Sequence, residues 1–116
     1  ATPGPYTMIL EATKEVPRRL SHPSRKTIGL RVPENNITQA LLEELGQPLL
    51  ATTLILPDED EPLTDPELIR EKLDKIVDLV IDGGACSLSP TTVIDMTGEM
   101  PELVRQGRGD ASLFGL

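Results

Sequence analysis

Short apolar runs broken by proline, glycine and acidic clusters divide this chain into alternating extended and helical segments. Tyr6 to Leu10 reads as a strand, a turn of helix is expected near Val16 to Leu20, and Ser21 to Arg25 reads as loop. Thr27 to Val32 predicts a second strand closed by Pro33, which has no amide to give to a ladder. Asn36 has the character of a helix N-cap with Gln39 as its capping-box partner. Ile37, Ala40, Leu41 and Leu45 then fall on one helical face, and Gly46 ends the helix.

Pro48 to Leu56 is almost continuously apolar, interrupted by Thr52 and Thr53, and predicts a central strand covered on both faces. The acidic stretch Pro57 to Pro62 reads as a solvated loop. Thr64 or Asp65 is expected to cap the next helix, with Pro66 in its first turn, Glu67 closing a capping box, and Ile69, Leu73 and Ile76 as its apolar stripe. Further strands are expected at Leu79 to Ile81, Thr92 to Met96 and Leu103 to Val104, separated by Gly83-Gly84 and Gly98. No internal repeat and no linker divides the chain, so residues 1–116 read as a single domain. The alternation implies an α/β (α+β) fold, a twisted mixed sheet flanked by helices.

Composition narrows the function classes. Tyr6 and Phe114 are the only aromatic side chains, so the core is expected to be Leu, Ile, Val and Ala, and no aromatic platform exists for stacking single-stranded bases. Cys86 stands alone and has no disulfide partner within the chain. The apolar runs are too short to span a bilayer as helices, and no basic-then-apolar leader opens the sequence. These features predict a cytoplasmic protein without a membrane partner. Ala1 at the start fits an excised domain or a processed fragment.

The net charge of −8 is unevenly distributed. Residues 1–33 carry six basic side chains (Lys14, Arg18, Arg19, Arg25, Lys26, Arg31) against Glu11 and Glu15, whereas the remainder carries five basic against seventeen acidic ones. An acidic surface opposes non-specific polyanion binding, but a basic island can still hold phosphates. Arg31 differs from its basic neighbours because it lies inside an apolar strand, where a covered guanidinium needs a carboxylate or phosphate partner.

Polar residues at strand ends of such a sheet line a crevice. Thr27, Arg31, Thr53 and Thr91 are candidates, with Arg31 and Arg105 able to make bidentate bonds to phosphate or carboxylate oxygens. Threonine is also a common strand former, so Thr52, Thr53, Thr91 and Thr92 each read individually as structural before they read as ligands. Cys86 has no activating histidine near it in sequence. His22 sits in a Ser-His-Pro loop, and no His, Cys and carboxylate spacing suggests a metal site. A Walker phosphate loop is absent, and Gly83-Gly84 and Gly107-Arg108-Gly109 have the wrong spacing for dinucleotide-binding glycines.

Three segments carry a more specific signal: Pro3-Gly4-Pro5-Tyr6-Thr7, Thr27-Ile28-Gly29-Leu30-Arg31-Val32-Pro33, and Pro90-Thr91-Thr92-Val93-Ile94-Asp95. In this order and at these intervals they resemble the carboxy-terminal half of the YrdC/YciO family, which includes the threonylcarbamoyl-AMP synthases that supply tRNA modification. The resemblance runs nearly end to end. Family domains are almost twice this length and carry a lysine- and arginine-bearing nucleotide segment ahead of the Pro-Gly-Pro turn. The resemblance therefore implies the C-terminal portion of a longer YrdC-like domain, with the missing N-terminal half as its partner.

The resemblance implies that Arg31, in the Gly-x-Arg-x-Pro strand, looks toward the substrate threonine, and that Thr27 lies beside the nucleotide. Thr91 takes the place of the serine in Pro-Ser-Thr-Val and keeps its hydroxyl for the substrate. Arg105, in Val104-Arg105-Gln106-Gly107, corresponds to a phosphate contact, and Thr7 joins the nucleotide set by its place in the Pro-Gly-Pro-x-Thr turn. The synthases follow their central Ala-Thr with Ser-Ala-Asn, whereas this chain reads Ala51-Thr52-Thr53-Leu54-Ile55. Thr53 preserves a hydroxyl for the substrate, but Ile55 replaces an amide with a side chain that neither donates nor accepts. That departure resembles the YciO branch.

The chemistry so implied joins threonine, bicarbonate and ATP into threonylcarbamoyl-AMP with release of pyrophosphate, with Mg as an accompanying ion and no tightly bound cofactor. Such a reaction needs positioning and charge neutralisation more than a protein nucleophile, and no catalytic residue is assigned. The fragment alone is expected to be weak or inactive. A different class stays open: a non-enzymatic module that binds double-stranded RNA, tRNA or the ribosome through Arg18, Arg19, Arg25 and Lys26. A third alternative is a fragment that pairs with its own copy along an uncovered sheet edge.

Overall fold

A computed structural model describes residues 2–13, 26–86 and 89–116. The expected helical turn at Val16 to Leu20 and the loop at Ser21 to Arg25 lie outside these residues. The chain divides into two compact units, one formed by residues 1–48 with 89–116 and the other by residues 49–88.

The first unit is built on a four-stranded mixed sheet: β1 (Tyr6–Glu11), β2 (Thr27–Arg31), β3 (Thr92–Asp95) and β4 (Glu102–Arg105), in the order β2-β1-β3-β4. β1 pairs antiparallel with β2 and parallel with β3, and β3 pairs antiparallel with β4. All four strands fall within a residue or two of the predicted bounds. Alternation along β1 assigns its faces. Tyr6 stands opposite Thr92 and Met8 opposite Ile94 on one side, while Thr7 stands opposite both Arg31 and Val93 on the other.

The Tyr6 face holds the core. Ile94 and Thr92 have no exposed surface, Tyr6 is buried, and its ring meets Phe114 edge to face with centroids 5.4 Å apart. The wholly aliphatic core expected from composition is thus corrected, since buried Tyr6 belongs to it and half-buried Phe114 packs against that ring. A 3-10 turn at Ala111–Phe114 brings Phe114 there. It is capped by Asp110, whose carboxylate accepts from the Ser112 amide and whose carbonyl accepts from the Tyr6 hydroxyl at 3.1 Å.

The Ser112 side chain and amide hold the Asp110 carboxyl below the usual aspartate range. A group whose pKa is depressed on folding stabilises above its unfolded value and loses that contribution as pH falls through the folded one. The last turn is therefore expected to loosen first on acidification below the ordinary aspartate range. Amide exchange at Ser112 and Leu113 should quicken with falling pH beyond the intrinsic trend, and Asp110→Asn should flatten that dependence.

α1 (Asn36–Leu45) follows β2. The cap is Asn35, one residue ahead of the expected Asn36. Its side chain accepts from the Thr38 amide at 3.0 Å, and Gln39 reaches back to the Pro33 carbonyl instead of closing a capping box. Two adjacent asparagines satisfy the same signal, and the cap is the one whose side chain accepts from the amide three residues on. Gly46 ends the helix in the left-handed conformation, as expected.

The second unit departs most from expectation. α2 (Pro66–Leu73) is present, capped by Asp65, whose carboxylate accepts from the Glu67 amide at 3.0 Å. Glu67 is thereby part of the first turn, where its charge suits the helix dipole, and does not close a box. The helix stops at Leu73, so Ile76 lies beyond it and is exposed rather than part of the stripe.

Neither Pro48 to Leu56 nor Leu79 to Ile81 forms a strand. Leu49, Leu50, Ile55, Leu79 and Ile81 are all exposed, and among the described residues no neighbouring strand pairs with them. An apolar run reports a preference for burial, whereas a strand also needs a ladder partner. Here the Leu54 carbonyl accepts from the Leu63 amide, and the Ile55 amide bonds back to Thr53.

Candidate functional site

The central strands bury Tyr6, Thr92 and Ile94 on the core-facing side, so candidate chemistry is read on the Thr7 face. Across that face the register aligns Arg31 on β2, Thr7 on β1, Val93 on β3 and Arg105 on β4 in one row. Three strand spacings separate the two arginine backbones, roughly 14 Å. Long side chains rooted at the ends of such a row can reach one ligand lying above its middle.

Thr91 immediately precedes β3 and returns to the same face. Its hydroxyl lies 2.7 Å from that of Thr7, and although Thr91 is buried the pair is only partly covered. Arg105 folds back onto Thr91. Its Nε and Nη2 donate to the Thr91 carbonyl at 3.1 and 2.9 Å, and Nη2 also donates to the Thr91 hydroxyl at 3.1 Å. Three of the sequence-predicted residues are thus hydrogen-bonded into one cluster.

The donors and acceptors of this cluster do not balance. Two hydroxyls share one hydrogen bond, which consumes one of their two hydrogens. Among the described residues the hydrogen bonds of Arg105 use Nε and Nη2 only, and none uses Nη1. The surplus is of donors, one of them carried by a guanidinium. Such a surplus suits an oxyanion.

The remaining predicted residues are dispersed. Arg31 is exposed on β2, level with Thr7. Thr27 opens the same strand opposite Glu11, about 13 Å from Arg31 along the same face. Thr53 belongs to the second unit and is exposed there, as is Ile55. Lys26 is exposed with a left-handed backbone (φ 54°), and Arg18, Arg19 and Arg25 lie outside the described residues. Cys86 is exposed, and the described residues contain no cluster of metal-ligating side chains. A depression in the second unit is lined by Glu67, Arg70, Asp74, Asp78 and Asp82, and none of the predicted site residues borders it.

Sequence reasoning missed what fixes the cluster. Gly107 lies so close to Pro90 and Thr91 that a Cβ there would overlap their main chain, and a Cβ on Gly109 would overlap the Tyr6 ring. The Thr92 hydroxyl donates to the Gly109 carbonyl at 2.7 Å and accepts from the Gly107 amide at 3.0 Å. The Gly-x-Gly spacing carried this signal, but its meaning is close approach of backbone to strand rather than a phosphate loop.

A mixed sheet with a helix after its second strand, and a threonine–arginine cluster on its open face, defines an α+β domain with an oxyanion-suited strand end. The chain belongs to the Sua5/YciO/YrdC family: the family model described as "Telomere recombination" matches residues 1–107. It is 57% identical over 113 residues to the uncharacterized protein YciO of Escherichia coli, covering 97% of this chain and 55% of that protein. The crystal structure of E. coli YciO superposes with a TM-score of 0.88 at the same identity and coverage.

More distant is the threonylcarbamoyl-AMP synthase of Pyrococcus abyssi, 30% identical over 90% of this chain and 31% of that protein. A structure of P. abyssi Sua5 superposes with a TM-score of 0.76 at 28% identity, over 91% of this chain and 32% of that one. The chain spans about half the length of the YciO proteins it matches. Both the family and the mixed-sheet fold expected from the three motifs are borne out, and the higher identity to YciO agrees with the expected branch.

Proposed function

We propose that this chain supplies part of the nucleotide- and threonine-binding surface of a protein related to the threonylcarbamoyl-AMP synthases of tRNA modification. Thr7 and Arg105, joined by Thr91, face the phosphates of ATP or AMP, with Thr27 further along the same strand face, and Arg31 and Thr91 face the threonine. The observation that carries this reading is the hydrogen-bonded Thr7–Thr91–Arg105 cluster, whose surplus is of donors. Arg31 level with Thr7 supports a second anionic group, such as a threonine carboxylate, on the same face.

Ile55 argues for a division of roles. An apolar side chain at the position of the synthases' asparagine cannot hydrogen-bond a reacting group. The surface is therefore assigned to binding, and turnover to threonylcarbamoyl-AMP is not assigned to this chain alone.

Calorimetric titration with ATP tests the reading. Thr91→Val removes the shared hydroxyl and is expected to weaken ATP binding about tenfold, the value of one hydrogen bond to a charged group. Lys26→Gln, away from the cluster, should leave it unchanged. Equal ATP binding by the Thr91→Val variant and the parent would sink the assignment. A steep salt dependence of RNA binding that follows Arg18, Arg19, Arg25 and Lys26 would point to the RNA module instead.

A further inference from the structure

Resting on the nucleotide-binding reading above, we infer that Thr92 is a positioning residue whose hydroxyl clamps the Gly107–Gly109 turn and thereby holds Arg105 on Thr91. Thr92 itself faces away from the ligand side. It pairs with Tyr6 on the core face and has no exposed surface, so it cannot touch a nucleotide on the Thr7 face.

Its hydroxyl both donates and accepts. The hydrogen goes to the Gly109 carbonyl at 2.7 Å, and a lone pair takes the Gly107 amide at 3.0 Å. β4 ends at Arg105, and Thr92 supplies the next main-chain anchor where the ladder has stopped. The Arg108 amide then reaches the Pro90 carbonyl at 2.9 Å, and Gln106 Nε2 donates to the carbonyls of Gly107 and Gly109. The segment is thus closed onto Pro90 and Thr91 from both sides of Gly107.

Gly107 shows how tight that closure is. A single added carbon would overlap the Pro90 carbonyl and the Thr91 main chain, so the two segments are in backbone contact. Arg105 lies two residues before this contact, and its Nε and Nη2 both depend on where the Thr91 carbonyl stands. Valine at position 92 keeps the shape but takes the hydroxyl from the part-buried Gly107 amide and the buried Gly109 carbonyl, which the turn relieves by moving outward. Serine keeps the hydroxyl and loses only the methyl.

Two measurements on Thr92→Val and Thr92→Ser test the clamp. The first is hydrogen exchange of the Arg105 Nε–H by NMR without ligand, and the second is the dissociation constant for ATP. Thr92→Val is expected to speed Nε–H exchange about tenfold and to weaken ATP about tenfold, while Thr92→Ser stays within about twofold of the parent in both. A generic loss of core packing predicts the reverse order for serine, because it is serine that opens a cavity.

Parent-like Nε–H exchange in Thr92→Val overturns the clamp, as does a Thr92→Ser variant that exchanges as fast as Thr92→Val. If Thr92→Val does not fold, Thr92→Ser decides: retained protection supports the clamp and lost protection overturns it. If the parent itself ignores ATP, the nucleotide reading falls, and the ligand-free exchange still decides the role of Thr92.

Discussion

Gly107→Ala is expected to lower stability by on the order of 3 kcal/mol and to abolish ATP binding with it. The reason is space rather than backbone freedom. The added methyl meets the Pro90 carbonyl and the carbonyl carbon and oxygen of Thr91. These are main-chain atoms on the approach to β3, and no rotamer change can move them aside. Relief requires the 106–109 segment to lift, which breaks the Gly107 bond to Thr92 and the Arg108 bond to Pro90. For a chain of this size the thermal midpoint should fall by roughly 10 °C or more. Scanning calorimetry that finds Gly107→Ala as stable as the parent would show that this approach is looser than described.

Arg105→Ala separates binding from folding. The guanidinium is on the exposed side of an edge strand, so its removal should shift stability by no more than about 1 kcal/mol. ATP affinity should nevertheless drop by about 10- to 100-fold, the range for losing charge-assisted hydrogen bonds to phosphate. Arg105→Lys should not restore it. Lysine has a single nitrogen, which cannot both bond the Thr91 carbonyl as a fork and present further donors to a ligand. A lysine variant with parent affinity, measured by calorimetry at fixed salt, would reduce the role of Arg105 to that of a diffuse positive charge.

The elements written in purely local terms were legible. β1, β2, β3 and β4 each combine short apolar stretches with a flanking proline, glycine or turn residue, both helices carry a side-chain cap, and α1 also carries a glycine terminator. The apolar run at Pro48 to Leu56 misled because hydrophobicity does not specify a ladder partner, and Leu49, Leu50 and Ile55 stand exposed instead. The cluster of Thr7, Thr91 and Arg105 joins residues 84 and 14 positions apart. Composition and periodicity could not bring them together; the family resemblance could, because it compares three-dimensional neighbours indirectly through motif order. Thr92 was hidden by its own chemistry. A threonine in a strand is what strand propensity favours, and only the bond from its hydroxyl to the Gly107–Gly109 turn distinguishes it from any other.

The central claim is that the Thr7 face of this sheet is a nucleotide surface. Its most direct test is a two-dimensional amide NMR titration of the chain with ATP, with and without threonine, at moderate salt. The account predicts saturable shifts at Thr7, Thr91 and Arg105 with ATP, extending to Arg31 when threonine is added. Well-dispersed peaks that ignore ATP, or shifts confined to the basic stretch between Arg18 and Lys26, would contradict it.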